Sequence, residues 1–165
     1  MSEETSVAQV NEESVAACGG KYLTFSLADE EYGVEILKVR EIIGVMDITS
    51  VPQMPTHVKG VINLRGKVIP VVDLRLKFGM PPAEYTDATC IIVVDVGALM
   101  GIIVDTVQEV LDIDGQHIDP PPPLGGAVDT TYVMGMGKVK DSVKILLDID
   151  KVLNEEKPFA QEQDQ

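Results

Sequence analysis

The sequence predicts an all-β chain of two small five-stranded β-barrels in tandem, ended by a short C-terminal helix. Three observations carry this expectation. The chain repeats itself: with Gly33 set on Gly101, residues 33–42 fall on 101–110 at an offset of 68. With Gly60 set on Gly135, residues 57–60 fall on 132–135 and 68–74 on 143–149 at an offset of 75. Second, Val and Ile supply 37 of the 165 residues and aromatics only 4%, the balance of short strands packed into aliphatic cores. Third, 14 glycines and 10 prolines supply many turns. Strands this short bury both sheet faces when the sheet curls closed.

Residues 1–20 are polar, acidic and aperiodic and read as a disordered tail. The first module spans 21–84. Residues 21–27 alternate apolar and polar, the period of a half-buried strand. Asp29, Glu30 and Glu31 form a turn, and 32–36 return as a second strand. Residues 37–43 fit a short helical turn leading into a strand, though periodicity does not decide it. Two prolines make 51–55 an irregular connection. Residues 60–64 form a strand, Arg65 and Gly66 a turn in which Gly66 is free to take positive φ, and 67–74 the returning strand. Pro70 gives no N–H to a ladder, which places it at an edge or a bulge. Residues 79–87 are a linker.

The second module, 85–153, repeats this order. Strands are expected at 89–96, 101–107, 109–113, 132–137 and 142–149, with a turn near Gly97. Four consecutive prolines at 120–123 make an extended connector. Residues 148–154 suggest a short terminal helix capped by an acidic residue. Residues 154–165 read as a second disordered tail.

Net charge is −14, unevenly spread. The first module is neutral, the second carries −7, and the tails carry −4 and −3. This excludes nucleic acid as a partner, since phosphate neutralisation needs a basic surface. No apolar run reaches the ~18 residues of a bilayer span, so no direct membrane insertion is expected. The first 20 residues hold no Lys or Arg and no apolar stretch, which predicts no secretory signal and a cytoplasmic protein. Cys18 and Cys90 are expected to be free thiols. Two Cys and two His, far apart, offer no zinc site.

Enzymatic motifs fail one by one. The stretch from Gly60 to Lys67 is one residue too long for a phosphate-binding loop and lies on a hairpin. Gly135 and Gly137 lack the third glycine of a dinucleotide fingerprint. No G-x-S-x-G nucleophile elbow occurs. Asp73 and Asp148 occupy equivalent places in the two repeats, each just after a strand. One carboxylate per repeat is what a structural cap shows, rather than a catalytic pair. No catalytic residue, metal or cofactor is expected.

Several segments in conjunction carry a family resemblance. They are Tyr32-Gly33-Val34, Leu37-Lys38-Val39-Arg40-Glu41-Ile42, Lys59-Gly60-Val61-Ile62-Asn63-Leu64-Arg65-Gly66, Ile69-Pro70-Val71-Val72-Asp73-Leu74-Arg75, Gly101-Ile102-Ile103-Val104-Asp105 and residues 132–137. From about residue 21 to 153 the chain closely resembles the CheW family of chemotaxis coupling proteins. The resemblance implies two SH3-like barrels without catalytic activity. It implies a cytoplasmic scaffold, recruited to membrane receptor arrays, between methyl-accepting chemoreceptors and the regulatory domain of the histidine kinase CheA. It carries the receptor-binding seam onto Val39, Glu41 and Arg65, flanked by Gly60 and Gly66, and onto Thr89, Val107, Val110 and Gly135 in the second module. It places the kinase-binding surface on the first barrel. Val39, Val107 and Val110 serve equally well as core, and the glycines as backbone geometry. Arg65 is the strongest candidate for direct contact: a guanidinium at a hairpin tip has little to do in folding, and Arg is enriched at binding hot spots.

Overall fold

A computed structural model describes residues 17–122 and 130–156. It holds eleven strands among the described residues: β1 Gly20–Leu27, β2 Glu30–Glu35, β3 Val39–Gly44, β4 Val58–Leu64, β5 Lys67–Asp73, β6 Cys90–Asp95, β7 Leu99–Val104, β8 Thr106–Ile113, β9 Ile118–Asp119, β10 Val133–Val139 and β11 Ser142–Leu147. Two single helical turns, α1 Leu74–Lys77 and α2 Ile149–Val152, follow β5 and β11.

The strands form two sheets, ordered β3-β6-β7-β5-β4 and β8-β1-β2-β11-β10-β9. The repeat halves and the sheets are therefore different partitions of the chain. Each sheet takes the first hairpin of one repeat and the remaining strands of the other. β2 runs parallel to β11 with Gly33 opposite Leu146, and β7 runs parallel to β5 with Gly101 opposite Val71. These are the same repeat positions in both sheets, so the exchange is reciprocal.

Each sheet curls closed. Beyond β3 the chain returns to β4, where Thr49 and Val61 exchange hydrogen bonds of 2.8 and 2.9 Å. Beyond β8, a turn at Gly115–His117 leads into β9, which pairs with β10. We call the two units barrel 1 (β3–β7) and barrel 2 (β1, β2, β8–β11).

Three apolar clusters follow. Ile62, Ile69, Val71, Ile91, Val93 and Ile103 fill barrel 1. Tyr22, Ile113, Ile118 and Leu146 fill barrel 2. The largest lies between the barrels and takes Leu23, Phe25 and Leu27 from β1 with Ile92, Val94, Ile102 and Val104 from β6 and β7. Hence the middle strands are apolar on both faces: Ile91 and Val93 point into the barrel, Ile92 and Val94 out of it. A ladder of rings crosses this core, Phe25 to Tyr32 at 5.8 Å, Tyr32 to Phe78 at 6.2 Å and Phe78 to Tyr132 at 6.0 Å between centroids.

Four expectations change. The strand anticipated over 67–74 stops at Asp73, whose carboxylate caps α1 by accepting from the N–H groups of Arg75 and Leu76. Asp148 caps α2 in the same way, accepting from Lys151 N–H at 3.2 Å, so both aspartates are structural caps. Pro70 is on neither an edge strand nor a bulge. Its strand lies between β7 and β4, and Pro70 pairs with Val61 one residue before the β5–β7 register begins. Residues 154–156, placed in the tail by the sequence, are ordered. Asn154–Glu156 form a 3-10 turn, and Glu156 is buried at 2% exposure. Its carboxylate lies 3.2 Å from Lys77 Nζ and 2.8 Å from His57 Nε2, tying the end of barrel 2 to barrel 1. At the other end strand pairing begins at Gly20, inside the expected tail. The rest of both tails, and most of the stretch after the proline run, lie outside the described residues.

A candidate protein-binding groove at the end of barrel 1

The β4–β5 turn is a two-residue hairpin in which Arg65 has φ 52° and Gly66 φ 89°. Positive φ at both central positions is the twist such a hairpin needs. The Gly66 N–H donates to Asn63 Oδ1 at 2.8 Å, which fixes the tip. Arg65 holds a left-handed conformation that glycine adopts without cost, and its side chain is 70% exposed. Neither fact helps folding.

Across the barrel mouth stands Glu41, brought there by β3. Arg65 donates through both terminal nitrogens to its two carboxylate oxygens, Nη1 at 3.0 Å to Oε2 and Nη2 to Oε1. This fork-on-fork geometry is specific as well as attractive. The guanidinium donation holds the Glu41 carboxyl below its usual range. A second pair, Arg40 to Asp95 at 2.6 Å, stands on the neighbouring rim. Donation from Arg40, then from the Gly97 N–H, lowers the Asp95 pKa too.

Beneath these pairs is a groove of about 600 Å³ with Leu64, Ile69, Val93 and Leu99 as its floor. Ile69 and Val93 belong to the barrel's own interior. The groove is therefore the open end of the barrel, floored by aliphatic carbon and rimmed by the two charge pairs and by Lys67. That combination suits an apolar side chain from a partner whose neighbouring charges can replace the rim pairs.

The structure thus brings Glu41, Arg65 and Gly66 together. Val39 starts the same strand but packs against the inter-barrel core, as Val107 does from β8 in barrel 2. Val110, also on β8, is 49% exposed, and Ile42, its repeat equivalent on β3, is 43% exposed. Thr89 is buried, its hydroxyl accepting from the Thr86 N–H at 2.8 Å just before β6. Gly60 has φ 143°, and a side chain there would drive its Cβ into the Thr49 carbonyl, 2.7 Å from the carbonyl carbon. Gly60 therefore makes barrel closure possible. Gly135 is buried at the matching register shift of β10. Sequence reasoning missed Arg40, Asp95 and the apolar floor as parts of one site. No local signal was available: Val39-Arg40-Glu41-Ile42 does not alternate, and Asp95 lies 55 residues from Arg40.

The class of protein is now defined: paired barrels with strands exchanged between repeats and an open groove at the end of one barrel. The family model of the CheW-like domain matches residues 21–157, and the chain belongs to that family. It is 40% identical over 139 residues to the chemotaxis protein CheW of Klebsiella aerogenes, covering 84% of each chain. It is 34% identical over 143 residues to CheW of Rhizobium meliloti, covering 86% of this chain and 92% of that one. Among solved structures it is similar to the scaffolding protein TtCheW from Thermoanaerobacter tengcongensis, with a TM-score of 0.76, 40% identity and coverage of 82% of this chain and 92% of that one. No helix among the described residues is long and apolar enough to cross a membrane.

Proposed function

We propose that the chain is a non-enzymatic scaffold that couples the cytoplasmic tips of methyl-accepting chemoreceptors to the regulatory domain of the histidine kinase CheA. It acts in the cytoplasm and is recruited to receptor arrays at the membrane. The observation that carries this reading is the barrel 1 groove, where Arg65 and Glu41 pair over an aliphatic floor. A scaffold must offer surface that stays soluble when free and is dehydrated when bound. Paired rim charges satisfy each other until a partner supplies substitutes, and half-buried Leu64 and Leu99 contribute apolar burial once water is displaced. Glu41 and Arg65 are the direct contacts. Gly60, Gly66 and Thr89 hold the barrel 1 backbone that presents them, and Gly135 holds the matching backbone of barrel 2. Val110 extends the partner surface onto barrel 2, and Val39 and Val107 pack beneath it.

The test is reconstitution with a receptor cytoplasmic fragment and the kinase, following kinase autophosphorylation. Receptor control of the kinase should require this protein and fail with Arg65→Ala. Equal control with and without the protein would sink the proposal.

A further inference from the structure

The reciprocal exchange lets the two barrel ends be compared position by position, and their floors differ in kind. Ile69 and Leu99, in the floor of the barrel 1 groove, correspond at the repeat offsets of 75 and 68 to Lys144 and Glu31. In barrel 2 these form an ion pair, Lys144 Nζ donating to Glu31 Oε1, with the lysine side chain only 8% exposed. On the rim, the Arg40–Asp95 pair corresponds to Gln108 and Ser26, and Gln108 Nε2 donates to Ser26 Oγ at 2.9 Å. The same amide donates to Glu31 Oε2 at 3.3 Å. Where barrel 1 has an aliphatic floor, barrel 2 has a charged pair, while Glu109 and Lys140 keep charge at the positions of Glu41 and Arg65.

Folding does not require that pair. The same backbone positions hold Ile and Leu in barrel 1, and exchanging a buried ion pair for well-packed aliphatic residues is commonly neutral or stabilising. What the pair changes is access. An entering apolar side chain would have to break Lys144 from Glu31 and leave the buried ammonium short of water. Gln108 and Ser26 close over it.

We propose that Lys144 and Glu31 are specificity-determining residues: their ion pair seals the end of barrel 2, so the chain offers its apolar-floored groove only once. The partner so selected brings an apolar side chain flanked by charged groups, and it meets one of two nearly symmetric ends. This rests on the reading of the barrel 1 groove as a partner site. The consequence is a scaffold with a single, directional attachment of this kind, although its fold is built twice.

The experiment titrates the full chain with a receptor cytoplasmic fragment and reads stoichiometry and affinity, with denaturant melts confirming that each variant is folded. Wild type should show one site, weakened at least about tenfold by Arg65→Ala. Lys144→Ile/Glu31→Leu should show a second site per chain, and adding this pair to Arg65→Ala should restore binding at one site. A folded double variant that keeps one site and does not rescue Arg65→Ala overturns the proposal. Should that variant not fold, Lys144→Met/Glu31→Gln, which removes both charges at nearly constant size, is read by the same two outcomes. If Arg65→Ala leaves wild-type binding unchanged, the barrel 1 reading itself fails and the proposal falls with it.

Discussion

Replacing Gly60 with alanine separates a residue that shapes the site from one that touches a partner. Gly60 sits on β4 at φ 143°, a region where side chains are strained by roughly 1–3 kcal/mol. Its added Cβ would overlap the Thr49 carbonyl oxygen and reach 2.7 Å from the carbonyl carbon. That carbonyl accepts from the Val61 N–H at 2.9 Å, while the Thr49 N–H donates back at 2.8 Å. The clash is with backbone, so the strand must move and both closing bonds are lost, at about 1 kcal/mol each. Gly60→Ala should therefore cost about 3–5 kcal/mol, a large part of the ~5–15 kcal/mol that holds a domain together. The assay is a urea melt with the receptor titration repeated at a temperature where the variant is still folded. A lower midpoint with near-normal affinity per folded molecule is expected. A variant that melts like wild type but fails to bind would refute the argument and make Gly60 a contact residue.

Three further outcomes follow from other parts of the fold. Glu156→Ala strips the buried partner from Lys77 and His57, leaving an ammonium with only Glu155 at 3.5 Å and the Tyr132 ring. It should cost about 3 kcal/mol, the low end for breaking a buried pair, and Lys77→Met/Glu156→Leu should recover most of that in a denaturant melt. The Asp105 carboxyl is held below its usual pKa by the Arg75 guanidinium and then by the Ala28 N–H. A carboxyl lowered in the folded state stabilises above its unfolded value, about pH 4, and loses that contribution as pH falls through the folded value. Melts between pH 7 and pH 3 should therefore show a steeper loss for wild type than for Asp105→Asn. The Cys18 thiol is raised by burial first, then by Glu35 and Asp148, so alkylation near pH 8 should be slower for Cys18 than for a free cysteine in solution.

The repeat was legible because Gly33 and Gly101 must both lie under a neighbouring strand. A Cβ on Gly33 would meet Leu146, and one on Gly101 would meet Ile91 and Val71. The hairpin exchange was not legible. Period-2 alternation says which residues share a face but not which strand lies beside them, so Leu146 opposite Gly33 and Val71 opposite Gly101 read equally well within one repeat. α1 was missed because Leu74 and Leu76 continue the apolar run of β5. Asp73 reads as structural alongside Asp148, but the sequence places a helix only after Asp148. Arg65 was identified at its tip because a charged residue on a hairpin turn has no folding role. Its partner Glu41 is 24 residues away, and no local pattern joins them. Buried Glu156 gave no signal at all, since an acidic run near a chain end reads as solvated.

The central claim is that one of two equivalent turns recognises a partner. Arg65 and Lys140 have φ 52° and 54° at matching strand-to-strand turns, so their backbones are interchangeable. Titrating a receptor cytoplasmic fragment against Arg65→Ala and Lys140→Ala, with melts in parallel, isolates the side chain. The account requires Arg65→Ala to bind at least about tenfold more weakly, Lys140→Ala to bind normally, and both to melt like wild type. Normal binding by Arg65→Ala, or equal losses in the two variants, would contradict it.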